Sequence, residues 1–484
     1  MRVAFWSLVL ALCIPGLGMA KKETAKPSPK PESAAAKETK ESKARAVSTH
    51  HTVTIEGKPV AYTATAGTII LHNEKDQPTA KIFYIAYTKD HVSDPATRPV
   101  TFSYNGGPGG ASALVDVGGF CPRKVVWAQP GSTVSVRPPY KMEQNPATLL
   151  ATTDLVFIDA AGTGYSRLLP PHGTPKMFYG VKQDRDAFTQ FIEQYISKYD
   201  RWGSPKFLLG ESYGTTRSAV LANELIQHGI YLNGVVLCST VLNFPTITFA
   251  PGDDLPFILF LPSYAATAWY HHRLNPEPKS LPELVRKAEA FAEGPYATAL
   301  FKGSLGEADQ LTGRYDSRYT LDELQPLLPF NGPSSMGATA SSIMGALTAS
   351  FNDYVERKLN YHSDHRYRQL SYKVNSEWDW KYNPPVQILL GEGGMYLNVA
   401  PALARAMDND PGLEVMDNNG YFDMATPFFA TEYTLRHAQL PKGAWKRITT
   451  DYYRCGHMLY LNPKVLPVLC KNINHFIAQA SSSH

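Results

Sequence analysis

Ser212 stands in Gly210-Glu211-Ser212-Tyr213-Gly214, between the apolar run Lys206–Leu209 and a helix-like stretch from Thr216. Small residues on both sides of a serine let a strand and a helix approach closely while the hydroxyl projects from a sharp turn. A serine held this way can attack a carbonyl if an imidazole takes its proton and a carboxylate fixes the tautomer of that imidazole. His457, in Cys455-Gly456-His457-Met458, and Asp423, in Gly420-Tyr421-Phe422-Asp423, each follow a late strand-like run. His437 and Asp417 fit less well, because His437 lies in a helix-like stretch and Asp417 lies inside a strand. A fourth turn, Asn105-Gly106-Gly107-Pro108-Gly109-Gly110, follows the run Pro99–Tyr104. Its glycines can turn backbone N–H groups toward a carbonyl oxygen with no side chain in the way. The N–H groups of Gly107 and Tyr213 are the expected oxyanion donors, each worth about 3–4 kcal/mol in the transition state. Each turn alone has a plainer reading, such as a helix-capping serine or a tight loop. In this order, each at a strand end, the four together point to acyl transfer on a serine.

The elements that must position them alternate. Short apolar runs at Pro99–Tyr104, Asp154–Ile158, Lys206–Leu209 and Gly234–Leu237 end in small-residue turns, and helix-like stretches follow at Lys182–Lys198 and Thr216–His228. Strand, turn and helix in repetition predict an α/β fold: a mostly parallel central sheet with helices on both faces. The chain order Ser, Asp, His predicts the α/β-hydrolase fold in particular. Thr52–Tyr62, Gly67–Leu71 and Lys81–Tyr87 read as an antiparallel entry, while Leu413–Asn418 and Lys446–Tyr453 read as late strands. Residues 246–380 are rich in Pro, aromatic residues and amphipathic helices such as Leu281–Phe291 and Ala340–Tyr361. They are expected to form a helical cap inserted in a core made of residues 49–245 and 381–484, because insertions in such sheets emerge at the strand ends where sites lie.

The 484 residues are 43% apolar and 19% charged, enough to bury a sizeable core. The net charge of +4 is carried by the first 48 residues, which hold nine Lys/Arg against four acids and leave the remainder near −1. Such a body lacks the basic face that nucleic acid requires. Arg2, the apolar run Val3–Ile14 and Gly18-Met19-Ala20 have the pattern of a signal peptide over residues 1–20. Residues 21–48, with almost no large apolar side chain, are expected to be a solvated linker. No later stretch reads as a membrane span, so the expectation is an exported protein, periplasmic or secreted, without an integral membrane segment. Four cysteines follow the leader, Cys121, Cys238, Cys455 and Cys470, and their spacing leaves three complete pairings open. There is no Cys-x-x-Cys or His-Glu-x-x-His, so neither a metal nor an organic cofactor is expected.

The sequence resembles the serine carboxypeptidase family, as an exported member of bacterial type. Asn105-Gly106-Gly107-Pro108-Gly109 and Gly210-Glu211-Ser212-Tyr213 match the family's glycine loop and elbow, and Gly456-His457-Met458 matches its Gly-His-Met. Asp159 to Ser166, Asp-Ala-Ala-Gly-Thr-Gly-Tyr-Ser, is similar to the family's Asp-x-Pro-x-Gly-x-Gly-Phe-Ser segment. The resemblance implies a peptidase that removes C-terminal residues through an acyl-enzyme, usually at acidic pH. It also implies that Asn105 and Glu211 bind the carboxylate of the substrate's C-terminus. Three positions depart from the family. Ser103 stands where the family has Trp, Gly110 stands where it has Cys, and the second Glu of the carboxylate site falls within Val117–Pro122, where the nearest acid is Asp116. A lone Glu211 must still be protonated to receive a carboxylate, so the family's acid optimum is expected to be shifted or weakened.

The expected activity is therefore that of a serine-type carboxypeptidase with Ser212, Asp423 and His457 as its triad and a peptide as its partner. An esterase or acyltransferase using the same triad is the alternative, and a non-catalytic peptide-binding protein is a second. Arg217, the second residue of the helix-like stretch, has two readings: a cation near the site, or a buried arginine paired structurally.

Overall fold

The computed structural model describes residues 43–127, 137–250, 252–276, 278–301, 338–382 and 396–482, with the main chain alone at 338–342. The expected leader, the linker up to residue 42 and the cap residues 302–337 lie outside the described residues.

Nine strands form the main path of one sheet: β1 (Ala46–Ile55), β2 (Lys58–His72), β3 (Pro78–Lys89), β4 (Val100–Tyr104), β5 (Asp154–Ile158), β6 (Lys206–Glu211), β7 (Gly234–Cys238), β8 (Glu414–Gly420) and β9 (Ile448–Tyr453). Their spatial order is β1-β2-β3-β5-β4-β6-β7-β8-β9. The first three pair antiparallel, β3 pairs antiparallel with β5, and every pair from β5 to β9 is parallel. This is the α/β-hydrolase arrangement, with an antiparallel entry leading into a parallel half.

The entry differs from the sequence expectation in two ways. Thr52–Tyr62 is two strands, because Glu56 and Gly57 both take positive φ (49° and 75°) and turn the chain so that Ile55 pairs with Lys58. Two-residue hairpin turns favour this backbone hand because it matches the strand twist. The linker expectation also ran too far, since Ala46–Ser48 already pair with Gly67–Thr65.

Both faces of the parallel half are covered. The strands Val100–Tyr104, Asp154–Ile158 and Gly234–Cys238 are buried at all five positions, as two-sided cover requires. One face packs on α1 (Val181–Lys198), α2 (Tyr213–Gln227) and α6 (Ala400–Asn409), and the other on α5 (Ala338–Asp353) and α8 (Leu466–Ser482). In α1 the residues Val181, Asp184, Phe188, Phe191, Ile192 and Tyr195 recur at helical spacing and are buried. The helices α3 (Leu255–Tyr270) and α4 (Leu281–Phe291) share a smaller apolar cluster with Phe422, Phe428 and Phe429, the last two on α7 (Phe428–Arg436). No disulfide joins Cys121, Cys238, Cys455 and Cys470, and all four are buried. Among the described residues no helix is long and apolar enough to cross a membrane.

Candidate active site

The chain passes from β6 to α2 through one residue, Ser212, with φ 59° and ψ −128°. This region costs a side-chain-bearing residue roughly 1–3 kcal/mol, so its surroundings must hold it there. Ser212 N–H donates to the Cys238 carbonyl (3.0 Å), and the Ser212 carbonyl accepts from Thr215 N–H (2.8 Å). The flanking glycines are required sterically. A Cβ on Gly210 would collide with the Gly214 carbonyl and the Ser218 hydroxyl, and one on Gly214 would lie 3.0 Å from the Tyr104 carbonyl oxygen.

The loop after β4 lies directly against this elbow. A Cβ on Gly106 would run into the backbone nitrogens of Tyr213 and Gly214, and Gly107 has φ +114°. Among the described residues neither the Gly107 nor the Tyr213 N–H donates a hydrogen bond. Tyr213 is the first residue of α2, where the helix dipole adds partial positive charge. Residues 369–375 brace the loop. Ser371 N–H donates to the Gly109 carbonyl (2.8 Å), Ala111 N–H to the Gln369 carbonyl (3.0 Å), and the Asn375 amide to the Pro108 carbonyl (3.1 Å).

Beyond β8 and β9 the chain brings Asp423 and His457 together. His457 Nδ1 lies 2.7 Å from Asp423 Oδ2. An ionised carboxylate can only accept, so Nδ1 carries the proton between them. Asp423 is fully buried, and its oxygens also accept from Ala425 N–H (2.8 Å), Thr426 N–H (2.9 Å) and the Thr426 hydroxyl (2.8 Å). These bonds offset the loss of hydration that a buried charge suffers. The His457 carbonyl accepts from the Ser239 hydroxyl, and Ser239 N–H donates to the Asn418 carbonyl (2.8 Å), which fixes the histidine loop to the ends of β7 and β8. Gly420 lies so close under this loop that a Cβ would meet the Cys455 and Gly456 carbonyls.

On its other side the imidazole faces Glu211, with Nε2 3.6 Å from Oε1. Glu211 Oε2 accepts from the Asn105 amide (2.8 Å), which also reaches the Tyr460 hydroxyl (3.1 Å), while Asn105 Oδ1 accepts from Val115 N–H (3.0 Å). Burial pushes the Glu211 carboxyl above its ordinary range, and His457 and the Asn105 amide pull in the opposite direction. A cavity of about 150 Å³ is lined by Asn105, Gly106, Gly107, Glu211, Ser212 and His457, together with cap residues that include Gln369.

All seven residues singled out from the sequence thus gather around one space: five line the cavity, Asp423 is hydrogen-bonded behind His457, and Tyr213 follows Ser212. Asp116 does not join them. It is buried away from the cavity, neither of its oxygens has a hydrogen-bond partner among the described residues, and burial pushes its carboxyl up to about 7. The alternative triad members are placed elsewhere. Asp417 accepts from the Thr240 hydroxyl (2.7 Å) and the Asn419 amide (2.7 Å), and His437 lies at the exposed end of α7 beside the Tyr433 carbonyl. Arg217 takes the structural reading: it pairs with Asp184 (2.7 Å) and donates to the Asn105 carbonyl (2.8 Å). Sequence reasoning missed Thr426, Tyr460 and Gln369. Thr426 has a faint signal, because Asp-x-x-Thr after a strand favours local side-chain to backbone bonding, but the other two carry none. Among the described residues no group of three or more His, Cys, Asp or Glu is arranged to hold a metal ion.

Residues 57–245, well under half of the chain, match the family model of the serine carboxypeptidases. No curated protein sequence matches the chain. Among solved structures the chain is similar to a prohormone-processing carboxypeptidase from Saccharomyces cerevisiae, at 14% identity and a TM-score of 0.56 over 86% of this chain and 91% of that one. This likeness is one of fold. A proline iminopeptidase from Mycobacterium smegmatis (14% identity, TM-score 0.40, 86% of this chain and 98% of that one) is too remote to add to it.

Proposed function

We propose that the protein is a serine peptidase that shortens peptides from their C-terminus. The Asp423–His457 hydrogen bond carries this reading, because it orients the imidazole of a histidine that lines one cavity with Ser212. The match of residues 57–245 to serine carboxypeptidases supports peptides over other acyl compounds. Ser212 Oγ attacks the scissile carbonyl as its proton passes to His457 Nε2. The oxyanion is held by the N–H groups of Gly107 and Tyr213. His457 then protonates the leaving amine as the C–N bond breaks, which leaves the acyl group on Ser212. A water molecule gives its proton to the same imidazole and releases the acid, while Asp423 stabilises each imidazolium. Asn105 and a protonated Glu211 receive the terminal carboxylate.

A fluorophosphonate tests the nucleophile: the parent is labelled and Ser212→Ala is not, with hydrolysis falling by about a millionfold. Equal labelling of the two would remove Ser212 from the reaction, and a parent that resists labelling would favour a binding protein. A blocked dipeptide, its amide and the corresponding ester test the substrate class. The free acid is expected to turn over fastest. Equal turnover of the amide would deny recognition of the terminus, and cleavage of the ester alone would favour an esterase or acyltransferase. The placement of Asp116 outside the cavity favours keeping that second reading under test, since Glu211 has no partner acid there.

A further inference from the structure

Beside the cavity that holds Ser212 lies a larger groove. This groove, of about 740 Å³, shares Met344, Gln369 and Leu370 with the cavity. Its charged lining is one-sided: Arg167, Arg366 and Arg368 stand against Asp364 alone, with His365 beside them. None of the three arginines is ion-paired to a carboxylate among the described residues. Arg167 is spent on main-chain carbonyls, donating to Gly164 (2.8 Å), Ser166 (2.8 Å) and Arg366 (2.6 Å). Burial first and the neighbouring Arg368 guanidinium second push the Arg167 pKa down to about 10. Three guanidinium groups against one carboxylate leave the cleft with a net positive field that attracts an anion.

Between cavity and groove sits Gln369. Its side chain is only 7% exposed, yet neither its Nε2 nor its Oε1 has a hydrogen-bond partner among the described residues. A carboxamide buried without partners carries a desolvation penalty that a ligand bonding to it would remove. Its position is fixed rather than accidental. Arg368 exchanges hydrogen bonds with Gly164 (2.8 and 3.0 Å), and the Gln369 carbonyl accepts from Ala111 N–H (3.0 Å), so the main chain on both sides of Gln369 is tied to the catalytic domain.

We propose that Gln369, with Arg366 and Arg368 on the lining of the same groove, forms a subsite for the side-chain carboxylate of an acidic residue next to the scissile bond. The proposal rests on the peptidase reading and adds a preference for Asp or Glu to it. On that reading the peptide's terminal carboxylate is taken by Asn105 and Glu211, which line the cavity but not the groove, so the groove is left for a second anion. Gln369 Nε2 donates to that carboxylate, and the arginines supply the charge.

The test measures binding to the full chain carrying Ser212→Ala, by fluorescence anisotropy, so that turnover does not enter. The probes are short labelled peptides in which a single Glu or Gln is walked along the last four positions, each with a free or amidated C-terminus. At one position Glu is expected to bind about tenfold more tightly than Gln, whichever terminus is present, the size of one charge-assisted hydrogen bond. The preference should shrink at about 0.5 M salt. It should vanish in Arg366→Ala/Arg368→Ala, and Gln369→Glu should invert it. Arg368→Glu should create tighter binding of a matched Lys peptide, a gain that misfolding cannot produce. Equal affinity for Glu and Gln peptides at every position would overturn the proposal, as would a preference that survives the double arginine variant. Affinity that tracks only the terminal carboxylate would overturn it too and leave the peptidase reading intact. A parent that hydrolyses no peptide while its Ser212→Ala form keeps the Glu preference would fail the peptidase reading and retain the subsite.

Discussion

The two walls of the catalytic cavity are built on opposite principles. On the sheet side, Glu211, Asn105 and His457 are held by side-chain and main-chain partners, and the glycines around Ser212 are there because nothing larger fits. On the cap side, Ile343, Met344 and Leu370 surround one amide that bonds to nothing described. The first wall is finished before a substrate arrives, as electrostatic stabilisation of a transition state demands. The second is completed by whatever binds. On the proposed function, chemistry and selection fall to different parts of the chain, and substitutions on the two walls should fail in different ways.

On the finished wall, after Ser212→Ala, the next largest effect expected is that of Asp423→Asn. An amide would offer Nδ2–H to the ring or reverse its tautomer, and kcat is expected to fall about 10⁴-fold with substrate affinity retained. Single-turnover acylation on a chromogenic ester checks this; a loss below tenfold would mean that the imidazole does not depend on this carboxylate. A smaller and conditional effect is expected of Glu211→Gln. The Glu211 carboxyl is raised by burial, so it is neutral at low pH and becomes charged as pH rises through its folded pKa. In the parent, kcat/KM for free-acid peptides relative to their amides should fall by up to about tenfold per pH unit above that point, because charged Glu211 repels the terminal carboxylate. In Glu211→Gln that ratio should be flat with pH, and an unchanged slope would remove Glu211 from carboxylate binding.

Asp116 supplies the smallest effect, and it appears in stability rather than turnover. Its folded pKa of about 7 lies above the ordinary value of 3.8, so the folded state holds a proton that the unfolded chain has lost. Its contribution is fully present below about pH 4 and is lost as pH rises through about 7. Urea unfolding of the parent should therefore weaken over this window by a few kcal/mol, and Asp116→Asn should remove most of that slope while leaving hydrolysis near that of the parent. Parallel slopes for the two proteins would show that Asp116 does not titrate in this way.

Much of the finished wall was legible in the sequence, for a physical reason. A strained serine, a close backbone approach and a carboxylate at a strand end admit few residue types, so Gly210, Ser212, Gly106 and Asp423 announce themselves. The turn at Glu56-Gly57 was overlooked because β-branched residues continue on both sides of it, and periodicity alone does not reveal a break two residues long. Tyr460 and Gln369 were invisible for a different reason. Each matters through one polar atom that meets a distant segment, and no local pattern requires a tyrosine or a glutamine there.

Arg217 carries a consequence beyond its own ion pair. From the second turn of α2 it grips Asp184 on α1 and the Asn105 carbonyl at the root of the glycine loop, stacked within 4.3 Å of the Phe188 ring centre. The spacing between the two amides that face the substrate oxygen is thereby set by a helix that touches neither of them. A planar fork can span those partners at once, whereas an ammonium group cannot. Loosening α1, by heat or by denaturant, would therefore dismantle the oxygen-binding pair in the same cooperative step, before the sheet beneath it gives way.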